Sequence, residues 1–138
     1  MPIIKHNPEG LFPPYRNYSH AVEIKGNSSL LIISGLNGYL SDGRSMPESF
    51  EEQGEIIWQY IGTILKSAGM DYQDIVSVRT YLSDPSNDEA NVQLRVKYLG
   101  SSRPALTEAT KVTHSLMNIL GCLNQSSLES PPTGCAQQ

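Results

Sequence analysis

The stretch DIVSVRTYL, residues 74–82, alternates between two faces and predicts a β-strand. One face carries Val76, Val78, Thr80 and Leu82, and the other carries Ser77, Arg79 and Tyr81. Segments with helical periodicity lie on both sides of this stretch in the sequence. A strand between two helices is typical of helices packed on a sheet, so this stretch sets the expected fold class.

The segment before the strand predicts a long helix. Ser45-Met46-Pro47-Glu48 fits a capping box, in which the Ser hydroxyl meets an orphan amide and Glu48 reaches back. Gly69 fits the position that terminates the helix. Gly54 and Gly62 each cost about 1 kcal/mol relative to Ala inside a helix, so we expect close packing of this helix against a sheet. The apolar residues at helical spacing are Phe50, Ile57, Ile61, Ile64, Leu65 and Ala68.

The other segments predict a hairpin, a second helix and a last strand. Two apolar runs, residues 21–24 and 29–34, surround a glycine turn and favour a β-hairpin. Ser86-Asn87-Asp88-Glu89 fits a second capping box, which would open a helix that runs to Gly100. A strand is expected from Ala105 to about Thr113, and residues 115–120 are apolar enough to pair as another. Residues 1–18 are typical of a loop.

This order of elements, ββ–α–β–α–β, predicts an α+β fold. The expected architecture is a two-layer sandwich with a mixed β-sheet and two helices on one face. The other face would carry Tyr81 uncovered, which favours burial of that face in an oligomer. We expect a single domain over residues 1–121, with an atypical C-terminal strand from about residue 108. Residues 122–138 are polar and rich in Pro, Ser and Gln, which predicts a disordered tail.

Composition argues against several classes of protein. The chain has 138 residues, a net charge of −4 and ten scattered Lys and Arg residues, so a DNA partner is not expected. The N-terminus has no apolar segment typical of a signal peptide, and the longest aliphatic run, residues 30–33, is far shorter than a membrane span. These features predict a cytoplasmic protein without a membrane partner, and a mitochondrial location stays open.

No metal site is predicted. Cys122 and Cys135 do not form a C-x-x-C motif. The three histidines, His6, His20 and His114, show no mutual spacing typical of metal ligands, so we expect them to be solvated. Ser34 lies outside any G-x-S-x-G motif, which argues against a nucleophilic serine.

Five motifs, in order over residues 15–107, resemble the Rid family of reactive-intermediate imine and enamine deaminases. This family is also labelled YjgF or L-PSP endoribonuclease. The segment YSHAV (18–22) resembles the family's PYSQAV, and ISGL (33–36) resembles its SGQ turn. The segment FEEQ (50–53), with the helix that ends in AGM (68–70), resembles the family's first helix. Residues 74–84 resemble its DVVK.TVFL.D strand, and RPA (103–105) resembles its (R/F)PA turn.

The resemblance implies a chorismate-mutase-like fold that assembles as a homotrimer, with small carboxylate ligands in clefts between subunits. The family's deaminases hydrolyse imines and enamines, for example 2-iminobutanoate, to a keto acid and ammonia without a metal or organic cofactor. Tyr18 and Ser34 match the family's cleft tyrosine and serine. The candidate catalytic residues are Tyr18, Ser34 and Arg103, and the candidate substrate-binding residues are Gly35, Leu36, Asn37, Tyr81, Ala105 and Leu106.

Two positions depart from the family's pattern. Leu106 stands where the family has an arginine, a residue suited to binding a carboxylate by two parallel hydrogen bonds. Arg103 lies three residues upstream and could instead form a salt bridge at an interface. The family's last strand carries a glutamate that takes part in water activation. The only acidic residues after the RPA turn are Glu108 and Glu129, and neither fits that pattern.

Three explanations of these departures stay open: a ligand without a carboxylate, loss of catalysis, or a frameshift or retained intron after about residue 108. Three functions are therefore hypotheses. The first is an imine deaminase, and the second is a catalytically impaired trimer that binds a small molecule or a partner. The third is a single-stranded RNA endoribonuclease, which the acidic charge disfavours. In the absence of a cleft role, Tyr18 would be a surface aromatic and Ser34 a strand-end cap.

Overall fold

The computed structural model describes residues 2–14, 17–110 and 116–124. Its main elements are β1 (Ile3–His6), β2 (Ala21–Ile24), β3 (Ser28–Leu36), α1 (Phe50–Ser67), β4 (Ile75–Leu82), α2 (Asp88–Leu99), β5 (Ala105–Thr110) and β6 (Leu116–Asn124). Short 3₁₀ helices at Tyr72–Asp74 and Pro85–Asn87 precede β4 and α2. The strands form one mixed sheet in the order β1-β2-β3-β6-β4-β5, in which β4 and β5 run parallel.

The hydrophobic core lies between the two helices and one face of the sheet. Trp58 of α1 is fully buried, and its ring stacks on Tyr98 of α2 with centroids 5.5 Å apart. One cluster joins both helices to the sheet; its members include Leu31, Ile33, Ile61, Ile64, Val78, Leu94 and Leu99. The predicted α+β sandwich with two helices on one face is therefore confirmed.

Strand β3 shows the alternation that separates the two faces of the sheet. Leu31 and Ile33 are 0% and 2% exposed and belong to the core, whereas Ile32 between them is 41% exposed. Successive side chains of a strand point to opposite faces, so Ile32 lies on the face away from the core. We call this the open face, because neither helix of the described residues covers it.

Helix α1 begins later than the sequence pattern indicates. The capping box expected at Ser45 is wrong, because both the amide and the hydroxyl of Ser45 donate to Asp42, at 2.9 and 2.6 Å. These hydrogen bonds lower the pKa of Asp42 to about 2. The helix is capped by Ser49, whose hydroxyl accepts from the amide of Glu52 at 3.1 Å. The predicted C-terminal end is confirmed, since Gly69 has a φ of 71° directly after the cap.

The second capping box is also wrong. Asp84 accepts a hydrogen bond from the amide of Ser86 at 2.9 Å, so residues 85–87 form a 3₁₀ turn instead. Helix α2 therefore starts at Asp88, and its preceding residue, Asn87, makes no side-chain capping hydrogen bond. Its predicted end at Gly100 is confirmed, with a φ of 56°.

The two glycines of α1 allow close packing, although against different partners than the expected sheet. A Cβ on Gly54 would lie 2.2 Å from Cδ1 of Leu94, which belongs to α2. A Cβ on Gly62 would lie 2.3 Å from the hydroxyl oxygen of Tyr72. The expectation that these glycines face the sheet is therefore wrong. The absence of a side chain at Gly54 and Gly62 lets α2 and the 3₁₀ turn pack close to α1.

The number of strands and their boundaries also differ from those predicted from the sequence. Residues 3–6, expected in a loop, form β1 and pair antiparallel with β2. The strand expected over residues 115–120 is confirmed from Leu116 onward as β6, which lies between β3 and β4. Strand β6 runs to Asn124, so the expected tail boundary at residue 122 falls inside a strand. Residues 111–115 and 125–138, with His114 and Glu129, lie outside the described residues.

Candidate functional site

Ser34 ties the end of β3 to the segment before β2. Its hydroxyl donates to the carbonyl of Ser19 at 2.6 Å, and its amide donates to the carbonyl of His20 at 2.8 Å. The register of β3 against β6 shifts between Ile33 and Leu36, which marks a bulge at this point. The Ser34 hydroxyl can thus accept a hydrogen bond from a ligand, while its own proton is committed to the backbone.

Tyr18 lies beside this bulge with its side chain partly in solvent. It is 40% exposed, and its ring meets the edge of His20 with centroids 6.2 Å apart. Gly35 is exposed at the same strand end, and Asn37 is half-buried. Leu36 is 1% exposed and belongs to the core, so its side chain is not available to a ligand. Tyr18, Ser34 and Gly35 therefore form one accessible group, which we call the first half-site.

Arg103 lies on the loop between α2 and β5. Its Nη1 atom donates to the carbonyls of Gly100 and Ser102, at 2.9 and 2.8 Å. The guanidinium therefore closes the turn between the helix and the strand. Ala105 and Leu106 follow at the start of β5, and Leu106 is 44% exposed. We call Arg103, Ala105 and Leu106 the second half-site.

The two half-sites are separated across the sheet of one chain. In register, Ile33 lies opposite Ile119, Ile119 opposite Val78, and Val78 opposite Leu106. Three strand spacings of about 4.8 Å place the β3 and β5 backbones about 14 Å apart. Tyr81, on β4 between them, is half-buried. One chain thus does not bring Ser34 and Leu106 into contact.

A polar cluster beside Leu106 is not predicted from the sequence. Glu108 of β5 accepts a hydrogen bond from the Asn91 side chain at 2.7 Å, and its Oε2 lies 3.8 Å from Nη1 of Arg95. Burial raises the pKa of Glu108, and the neighbouring Asp88 carboxyl raises it further. Asp88, Asn91 and Arg95 follow each other at intervals of three and four residues along α2. That spacing places them on one helix face and was the available sequence signal.

The histidines expected in solvent are held by the fold where the structure describes them. His20 is 1% exposed, and its burial lowers the pKa of its imidazole. His6 Nε2 lies 2.8 Å from a carboxylate oxygen of Glu23, and His6 Nδ1 lies 3.0 Å from the hydroxyl of Ser67. Since the Ser67 hydroxyl also bonds the Ile64 carbonyl at 2.6 Å, this network fastens β1 to the end of α1. The expectation of solvated side chains is wrong for both histidines.

Two concave regions flank the polar cluster. A cavity of about 20 Å³ between α1, α2 and β4 is lined by Trp58, Thr80 and Asn91 among others. It has room for about one water molecule, so it is too small for a metabolite. A larger groove of about 350 Å³ lies between α2 and β5 and includes Arg95, Arg103 and Leu106 in its walls.

The part of the chain that the structure describes holds neither a cluster of metal-binding side chains nor a helix able to cross a membrane. No group of three or more His, Cys, Asp or Glu side chains is placed to hold a metal ion. Neither of its α-helices is long and apolar enough to cross a membrane.

A match to a family model shows which protein family this chain belongs to. The model of the family described as Endoribonuclease L-PSP matches residues 11–119. This chain belongs to the Rid, or L-PSP, family. The match includes both half-sites and β4, so the five sequence motifs and the family model agree on the same region.

Two curated proteins are similar to parts of this chain. Reactive Intermediate Deaminase A, chloroplastic, from Arabidopsis thaliana is 34% identical over 64% of this chain and 46% of that protein. A RutC family protein from Aquifex aeolicus is 37% identical over 51% of this chain and 54% of its own length. The chain thus spans about half the length of these two curated relatives.

Solved structures confirm the Rid fold. A Rid family protein from Yersinia pestis, YyfA, superimposes with a TM-score of 0.79 over 87% of this chain and 98% of the other. Their sequences are 16% identical, so this likeness concerns the fold alone. The chain therefore has the fold of a Rid protein, although Leu106 stands where the family's sequence pattern has an arginine.

Proposed function

We propose that this chain is a Rid-type hydrolase that deaminates small imines and enamines of the 2-iminobutanoate type. It would work as a homotrimer, with substrate in clefts between subunits. The observation that carries the proposal is the separation of the two half-sites, whose strands lie about 14 Å apart within one chain. A second copy that brings its Leu106 side to Tyr18 and Ser34 of the first would complete a cleft.

The open face supports assembly. Ile3 is 64% exposed and Ile32 is 41% exposed. Val22, Ile24 and Leu30 are partly exposed, and the alternation of their strands places them on the same face. A contiguous apolar surface of this kind is typical of an interaction site. We therefore assign the open face to contacts between subunits.

The chemistry needs little from the protein. A protonated imine carbon is electrophilic, and water adds to it to form a C–O bond while a base accepts the water's proton. A proton on the amino nitrogen then allows the C–N bond to break while the new hydroxyl loses its proton and becomes the C=O group, which releases ammonia and leaves the keto acid. The protein has to orient the substrate, hold the water and pass one proton, which are tasks for hydrogen-bonding side chains. The Tyr18 and Ser34 hydroxyls are the groups of the first half-site with that capacity.

Tyr18→Phe tests the proposal with purified protein. A threonine dehydratase would supply 2-iminobutanoate in situ, and the rate of 2-oxobutanoate formation would be followed above the uncatalysed rate. Tyr18→Phe removes one hydroxyl and should lower kcat/KM about tenfold, the loss expected for a hydrogen bond to a charged group. Thr63→Ala, which removes an exposed hydroxyl of α1, is the matched control and should leave the rate unchanged. A wild-type rate equal to the uncatalysed rate, for this and other imines, would refute the proposal.

A second candidate is a Rid-like trimer that binds ligands without turnover. Leu106 favours it, because a leucine cannot form the two hydrogen bonds that an arginine offers a carboxylate. Saturable binding of a hydrophobic keto acid by a protein that shows no deaminase rate would support this candidate. Cleavage of single-stranded RNA, lost on Tyr18→Phe, would instead support the ribonuclease that the family's description names.

A further inference from the structure

Two buried polar groups lie between α1 and β4 without a hydrogen-bond partner. The indole Nε1–H of Trp58 and the hydroxyl of Thr80 bond to no other group of the described residues. Trp58 is 0% exposed and Thr80 is 4% exposed, so bulk solvent does not reach either side chain. An unpaired buried donor or hydroxyl is costly, and most such groups in folded proteins bond to protein or to ordered water. Both groups therefore need a partner.

One cavity meets both residues. Trp58 and Thr80 line the cavity of about 20 Å³ between α1, α2 and β4. Asn91 of α2, which is 2% exposed, is a third residue of its wall. An internal water needs roughly 10–15 Å³ of such space and two to four polar partners. The cavity provides the space, and these three side chains provide the partners.

Asn91 joins this cavity to the polar cluster beside Leu106. Its Nδ2 atom donates to Oε2 of Glu108 at 2.7 Å, which uses one N–H group of the amide. A carboxamide has two N–H donors and a carbonyl oxygen that can accept. Asn91 therefore keeps capacity for a further hydrogen bond on the side of the cavity.

We propose that the cavity binds one internal water molecule, held by the Trp58 indole, the Thr80 hydroxyl and the Asn91 amide. The water would accept from Nε1–H of Trp58 and donate to Oγ1 of Thr80 and to the carbonyl oxygen of Asn91. It would thereby link α1, β4 and α2, and extend the Asn91–Glu108 contact into the core. This water site is independent of the proposed deaminase activity, because its tests involve no turnover.

The variant Thr80→Val should respond in opposite directions with and without the water. With the water bound, the variant removes one of its partners and leaves the Trp58 indole unpaired. The unfolding equilibrium constant should then rise about fivefold to a hundredfold. In a dry cavity, the same change replaces an unpaired buried hydroxyl by a methyl group of similar size, so stability should stay equal or increase.

Urea midpoints, compared at equal m-values, measure this difference. The expected result is a lower midpoint for Thr80→Val than for the wild type. The matched control is Thr107→Val, which makes the same change at an exposed position of the neighbouring strand β5. Its midpoint should equal that of the wild type.

A crystal structure of the wild type tests the water site directly. The expected result is density for a water within about 3.2 Å of both Nε1 of Trp58 and Oγ1 of Thr80. Thr107→Val should keep this density, and Thr80→Val should lose it. If Thr80→Val does not fold, Thr80→Ser, which keeps the hydroxyl and should keep the water, takes its place beside the wild type.

Three results would overturn the inference. The first is a wild-type cavity without density, or with a water that bonds neither Trp58 nor Thr80. The second is a direct hydrogen bond from each of these two side chains to another protein group. The third is a Thr80→Val protein that is as stable as the wild type or more stable.

Discussion

The two faces of the sheet differ in what covers them, although the same strands build both. On the helix face, Leu31 and Val78 are fully buried beneath α1 and α2. On the open face, Ile3 and Ile32 keep 64% and 41% of their surface exposed. A strand that meets only water on one face usually carries polar residues there. The fold of one chain therefore completes the first face, and the proposed assembly would cover the apolar residues of the second.

The largest effect is expected on the helix face. Trp58→Ala removes a fully buried ring that stacks on Tyr98, and should lower the free energy of unfolding by about 3–5 kcal/mol. Urea denaturation monitored by circular dichroism measures this loss. Thr63→Ala, on the exposed side of the same helix, should change the free energy by less than about 0.5 kcal/mol. Equal losses in the two variants would contradict the assignment of the core.

A charge on the open face should break the assembly. Ile32→Glu would bury a carboxylate without a partner in the proposed interface, which costs about 3 kcal/mol or more. Sedimentation should show three copies for the wild type and for the control Ile32→Val, and a lighter species for Ile32→Glu. Circular dichroism of the lighter species should retain the helical signal. A wild-type protein that sediments as a monomer would contradict the proposed subunit interface on the open face.

Sequence patterns predicted which residues are buried on the helix face. They predicted the start of α1 and the edge strand β1 less well. Period-two and helical spacing depend on burial alone, so β4 and the core of α1 were visible from residues such as Val78 and Ile61. The start of α1 was not, because Asp42 competes for Ser45 through contacts that spacing does not reveal. Strand β1 was missed because no turn signal joins it to a neighbouring strand: its partner, β2, lies 15 residues further along the chain.

The candidate site was only partly visible for a related reason. The resemblance to the family's motifs pointed to Tyr18, Ser34 and Leu106, because such motifs are recognised from the order of residue types along the chain. The contact between Asn91 and Glu108 joins residues 17 positions apart on a helix and a strand. The burial that raises the pKa of Glu108 exists only once that helix has packed on the sheet. A linear pattern could indicate the helix face that carries Asn91 and Arg95, but not its partner.

Substitutions of the two α1 glycines, which pack against α2 and the 3₁₀ turn, should have a smaller effect on stability. Gly62→Ala places a Cβ against the Tyr72 hydroxyl, which is held by a 2.7 Å hydrogen bond to the Trp58 carbonyl. The rigid ring must shift, and we expect a net loss of about 1–2 kcal/mol after the gain in helix propensity. Gly54→Ala meets the mobile end of Leu94 and should cost less. Urea midpoints of the two variants, compared at equal m-values, give the difference.

The smallest effect concerns Glu108 at the edge of the helix face. Because its folded pKa is raised above the ordinary value of 4.5, the native state holds its proton more tightly than the unfolded state. The resulting stability is present below pH 4.5 and is lost as the pH rises through the raised value. Glu108→Gln should therefore flatten the decline in stability above pH 4.5. Glu89→Gln, an exposed carboxyl on α2, should keep the wild-type slope.

Complementation between two inactive variants tests most directly whether the site is built from two copies. Tyr18→Asp and Leu106→Asp each place a carboxylate in one half-site, and each alone should lower the deaminase rate at least about a hundredfold by repelling the substrate carboxylate. When the two variants are unfolded together and refolded as mixed trimers, about a quarter of the clefts should regain two intact half-sites, as should a similar share of the wild-type rate. A mixture no more active than the mean of the two separate variants, from a wild type that is itself active, would contradict a site shared between subunits.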